Sequence, residues 1–215
     1  MTWRTILAVA LLAGSACSAL ARSGPPTAAP NGDPTAGLAV PAGPVLFEPE
    51  QLIFPPEVFP LPDVAVASDA PLTVHGWERQ FATATSPDFR WFTVRLFVLE
   101  PDVPSARFIG DNGCGSMTWS GEHPKAEAVG APPRSGDGAT ACRYEFPDGQ
   151  RVLYYATGWR NVGILIGTQP RRDEMTDVLA LDWLAALARQ QIAIIGHVLV
   201  AYPPPAGAVR GASVP

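Results

Sequence analysis

Ser116, His123 and Asp137 are the residue types of a hydrolytic triad, a nucleophile, an imidazole base and a carboxylate to orient it. Gly113-Cys114-Gly115-Ser116 also has the glycine flanks of a nucleophile elbow. An elbow needs a following helix to present its nucleophile, however, and no helical pattern follows here. All three triad types lie in one polar stretch, where such common residues carry little information. The sequence therefore leans away from an enzyme, and a hydrolase without a recognisable motif stays as an alternative. His75, His123 and His197 are too scattered for a metal site, and Asp111-Asn112-Gly113 is too short for a calcium loop. There is no HExxH and no GxxxxGK[ST], so neither metal nor cofactor is expected.

Cysteine chemistry is more informative. Cys17 lies in an apolar leader, which leaves Cys114 and Cys142. In an exported protein two cysteines read as one disulfide, worth about 3 to 4 kcal/mol on the chain-entropy account. A metal pair or a catalytic thiol would need CxxC spacing or a nearby ligand cluster, and neither is present.

A third candidate is a surface. Phe92, Val94, Leu96 and Val98 alternate with Trp91, Thr93, Arg95, Phe97 and Leu99. The first set is a core face, and the second mixes apolar residues with an arginine, as the wall of a shallow cleft does. Gly163 and Gly167 alternate with Val162, Ile164 and Ile166 and so open a trough beside Leu165 and Leu153. Left open, the trough is a ligand surface lined by Trp91, Arg95 and Tyr155. Close approach of a helix is the commoner use of strand glycine, so the long C-terminal helix is expected to fill it.

The elements that hold these residues begin with a hairpin. Gly76 to Thr83 and Phe89 to Glu100 bracket the turn signal Ser86-Pro87-Asp88. Ser105 to Asp111 reads as a short helix capped by Asp102, with Asn112-Gly113 ending it. Met117 to Trp119 reads as a short strand, and Glu122 to Ala141 as a long loop rich in Gly, Pro and charge. Arg143 to Phe146, Gln150 to Thr157 and Val162 to Thr168 form an antiparallel meander. In it, Val152, Tyr154 and Ala156 are aligned with Val162, Ile164 and Ile166 on one face, and Leu153, Tyr155 and Thr157 with the glycines on the other. Arg171 to Leu199 is a closing helix with an apolar stripe through Leu181, Leu184, Leu187, Ala188, Ile192, Ile195 and Leu199. Asp173, Glu174 and Asp177 suit the positive end of its dipole, and His197 is expected half-buried. The fold class is α+β, an antiparallel sheet of about five strands on one long and one short helix. That order is similar to small extracytoplasmic bacterial sensor and lipoprotein modules in architecture alone, and no functional residue follows from it.

Upstream, residues 1–21 read as a signal peptide: Arg4, an apolar run, then the small-x-small signature Ala19-Leu20-Ala21. Lipidation at Cys17 and a retained anchor are the rivals. Residues 22–46 form a flexible acidic linker of Pro, Ala and Gly, and 47–70 an apolar, proline-rich strap laid over the domain. A proline-rich ligand for another protein's groove is the sharper reading of that strap. Residues 71–201 are one α+β domain and 202–215 a disordered tail. A segment of about 130 residues buries roughly two-thirds of its unfolded surface, enough for one core. The formal net charge of -5 argues against nucleic acid as a partner. A protein or a small molecule remains as partner, with a membrane engaged only through an N-terminal anchor or lipid. The expected role is a non-catalytic extracytoplasmic binding or sensor-like module, secreted or envelope-tethered, and an accessory subunit of a cell-envelope complex is a further alternative. Intact mass of the exported chain checks its start: Arg22 without a lipid is expected, and an acylated start at Cys17 would overturn it.

Overall fold

The structure is a computed structural model that describes residues 33–61, 63–73, 75–114, 124–171 and 176–203. The leader, the Met117 to Trp119 strand, Ser116, His123, Asp173, Glu174 and the tail beyond residue 203 lie outside the described residues. Among the described residues a seven-stranded antiparallel sheet runs in the order β1-β2-β3-β7-β6-β5-β4. Its strands are β1 (Val64–Thr73), β2 (Gly76–Thr83), β3 (Phe89–Val98), β4 (Lys125–Ala128), β5 (Ala139–Glu145), β6 (Arg151–Trp159) and β7 (Val162–Pro170). The helices are α1 (Pro49–Leu52), α2 (Ser105–Asp111) and α3 (Asp177–Ala201). The α+β class holds, with two strands more than the expected five or so. The added ones are β1, which starts inside the predicted strap, and β4, which lies inside the predicted loop.

One face of the sheet packs on α3. Phe92, Val94 and Leu96 of β3 join Ile164 and Ile166 of β7 and Leu153 and Tyr155 of β6 in one core with Leu181, Leu184 and Ile192 of the helix. The register pairs Leu153 with Thr168, Tyr155 with Ile166 and Thr157 with Ile164. This corrects the expected alignment of the meander, since Tyr155 shares a face with the branched residues and Tyr154 faces the glycines. The cause is the turn: β6 runs on to Trp159, Arg160 adopts a left-handed φ of 59°, and the reversal needs only Arg160 and Asn161. A one-residue change in turn length moves a whole strand's side chains to the other face.

α3 starts at Asp177, with the Thr176 hydroxyl accepting from the Leu179 amide. Arg171, where the sequence starts that helix, instead follows β7 and donates to the carbonyls of Phe89 and Thr83. Helix α3 has the length and hydropathy to cross a membrane, but it is mostly buried within the protein. Its second cover is the strap. Leu52, Ile53, Phe54 and Phe59 are buried in the same core, and Phe59 stacks on Phe81 with ring centroids 4.3 Å apart. Chain order begins earlier than the linker reading allowed: Val45 is buried, exchanging hydrogen bonds with the Asn161 side chain.

The glycine trough is closed, but by neither of the expected occupants. A Cβ on Gly163 would come closer to the Phe108 ring from α2, and one on Gly167 closer to the Tyr154 ring, than real contacts allow. Pro104, not Asp102, stands at the N-cap of α2 without a side-chain bond, and the Ser105 amide donates to the Arg160 carbonyl at 2.7 Å. Cys114, just past α2, is bonded to Cys142 of β5. The expected 122–141 loop is bound over residues 124–138. There β4 pairs with β5, and Thr157 donates to the carbonyls of Ser135 and Gly138.

Gly163→Val is expected to lower the urea midpoint, at a cost of about 1 to 3 kcal/mol from overpacking. Phe108→Ala in the same chain should recover part of that loss, as neighbouring sites do in a double-mutant cycle. An unchanged midpoint would show that the ring does not occupy the trough.

Candidate functional site

The face opposite α3 is unevenly covered. At its β5–β6–β7 end Phe108, Cys142, Tyr144, Val152, Tyr154, Ala156 and Leu165 form a second apolar cluster. Helix α2 reaches across as far as Phe97, whose ring centroid is 5.2 Å from that of Phe108. Toward β2 and β3 the same face carries polar side chains, because the strands put Glu78, Gln80, Trp91, Thr93, Arg95 and Gln169 there by alternation and register.

These side chains hold one another. Arg95 Nε donates to Glu78 Oε2, Gln80 donates to Glu78 Oε1 at 2.9 Å, and the Thr93 hydroxyl donates to Glu78 Oε2 at 3.3 Å. Trp91 Nε1 donates to Gln169 Oε1 at 2.9 Å, and the Gln169 amide donates to Gln150 Oε1. Glu78 is only 9% exposed, so its charge depends on this set of donors. Trp91 and Arg95 are half-buried, which leaves an indole and a guanidinium held at the surface. Tyr154 lies next to the pair: burial pushes its hydroxyl up to about 12, and the charges of Arg95 and Glu78 both act on it. Cation, carboxylate, amides and indole together offer a neutral, pre-ordered surface for hydrogen bonding and stacking.

Trp91 and Arg95 therefore share a face as the sequence predicts, and Tyr155 does not join them. Tyr155 lies under α3, where its hydroxyl donates to the Pro133 carbonyl at 2.5 Å and is pushed up to about 12 by burial. Its neighbour Tyr154 takes the place expected of it. Glu78 and Gln169 were missed by sequence reasoning; Glu78 alternates with the core residue Arg79, but only the β2–β3 register shows that it opposes Arg95. Of the triad types only Asp137 lies among the described residues, and its carboxylate accepts from the Ser105 hydroxyl and the Arg160 amide. His197 is exposed rather than half-buried, as is His75. No three His, Cys, Asp or Glu side chains converge on a metal-sized site among the described residues.

Arg95→Ala should destabilise the fold by roughly 1 to 3 kcal/mol, because it strips a buried carboxylate of its charged donor. Glu78→Gln in the same chain removes that charge and should restore most of the loss. Equal midpoints for wild type and Arg95→Ala would show that Glu78 does not rely on Arg95.

Comparison of the chain with family models, with curated proteins and with solved structures finds no match.

Proposed function

We propose that this chain is a non-catalytic binding module that works outside the cytoplasm, secreted or held at the cell envelope, and takes a protein or small ligand on the Trp91–Arg95 face. The observation that carries the reading is the pre-ordered network itself. A half-exposed indole and guanidinium are held by Gln169 and Glu78, so little conformational freedom is left to lose on binding. Trp and Arg are also the side chains that most often dominate binding energy at interfaces. The Cys114–Cys142 disulfide fits an oxidising compartment, which agrees with the leader-like N-terminus.

The accessory-subunit reading draws on the apolar strap as a docking segment. Leu52, Ile53, Phe54 and Phe59 are used in the chain's own core, so that reading has less support.

Immobilised full-length protein and its Trp91→Ala variant, exposed to the same envelope extract, provide the test. A component retained by wild type and lost by the variant is expected, with little change in melting temperature because Trp91 is half-exposed. Identical retention by both proteins would overturn the assignment of this face.

A further inference from the structure

Two arginines are buried to the same degree, Arg79 and Arg189, each 8% exposed. Arg79 uses all three nitrogens: Nε and Nη2 donate to the Asp69 carboxylate at 3.1 and 2.7 Å, and Nη1 to the Phe54 carbonyl at 2.8 Å. Arg189, on α3, has no such set. Its Nε and Nη1 are buried without a hydrogen-bond partner, and it joins no ion pair among the described residues. A buried lysine or carboxylate in that position could discharge itself, but a guanidinium keeps its proton throughout the range proteins tolerate. An uncompensated buried charge is among the most costly features a fold can carry.

The Ser135 hydroxyl donates at 3.2 Å to the carbonyl of Ala185, one helical turn before Arg189. The Tyr155 hydroxyl donates to the carbonyl of Pro133, two residues before Ser135. Both hydroxyls therefore lie where the segment that carries Pro133 and Ser135 packs on α3, one helical turn before Arg189. Each hydroxyl now donates to a backbone carbonyl and can turn to donate to an anion instead.

We infer that Arg189, with the hydroxyls of Ser135 and Tyr155, forms a binding site for a small oxyanion, distinct from the Trp91–Arg95 face. The anion supplies the counter-charge that the described residues do not, and the two hydroxyls supply neutral donors to its remaining oxygens.

The test is a melting titration of the full chain in chloride buffer of constant ionic strength, with inorganic phosphate in one arm and acetate in the other. A saturable rise of about 2 to 4 °C is expected in at least one arm at roughly ten times the dissociation constant. The responding arm identifies the oxyanion class. Arg189→Met should abolish the rise and, without added oxyanion, should melt no lower than wild type, since it removes an unpaired charge. No rise in either arm for wild type, or an equal rise in Arg189→Met, would overturn the site. If Arg189→Met does not fold, Ser135→Ala decides: an apparent affinity weakened by about tenfold supports the site, and an unchanged affinity overturns it.

Discussion

The constraint on which the rest depends is that the middle of α3 is buried around its whole circumference. Residues from Trp183 to Arg189 are buried without a break, nearly two full turns, so no single sheet can cover them. The sheet takes one side and the proline-rich strap takes another. Proline suits the strap because it blocks both a helix interior and a ladder, but that choice leaves the strap's other backbone groups without regular partners. Side chains from the domain supply them. Gln191, fully buried, accepts from the Phe54 amide and donates to the Leu52 carbonyl. Gln190 donates to the Val58 carbonyl, Arg79 to that of Phe54, and Asn161 to those of Val45 and Leu99. Gln190 and Gln191 of α3 are thus what the strap requires, because buried backbone groups must be paired.

Legibility in the sequence followed the local signals. The β2 strand, α2 and the start of β7 fall where alternation and turn residues put them, although α2 is not capped by Asp102. The faces of β6 did not, because Gly158-Trp159-Arg160-Asn161 reads as a four-residue connection, whereas an arginine in left-handed geometry allows a shorter one. That error moved Tyr155 into the candidate surface and Tyr154 out of it. β4 was invisible for another reason: Lys125 to Ala128 is short and wholly exposed, so no apolar alternation marks it. Trp91 and Arg95 were legible from a single strand. Glu78 and Gln169 needed the pairing of neighbours, which no one strand encodes.

The edges of the sheet bear on where a partner can sit. β4 is short and carries Lys125 and Glu127, and β1 has register breaks at Val66/Ser68 and Pro71/Thr73 with a proline between its ends. Such features hinder strand addition. The Asp69 carboxylate of β1 is further committed to Arg79 and Trp77 of β2. Its burial raises the carboxyl, but the hydrogen bonds from Arg79 and Trp77 and the Arg79 charge outweigh this and hold it below the usual range. With both edges blunted, recognition is better served by a face than by an added strand.

Which part of that face stays open is decided by the disulfide. Cys142 lies in the apolar cluster beside Tyr144 and Tyr154, and its bond to Cys114 ties the exit of α2 to β5, on the side away from β2. Phe108 then stays over Gly163, where the missing side chain gives it room, and Ser105 is fixed to the β6–β7 turn at the other end of the same helix. A helix of only seven residues, held at both ends, cannot slide toward β2. The boundary between the covered half and the polar half of the face is therefore built into covalent and backbone connections, and the Glu78–Arg95–Trp91 network lies beyond it.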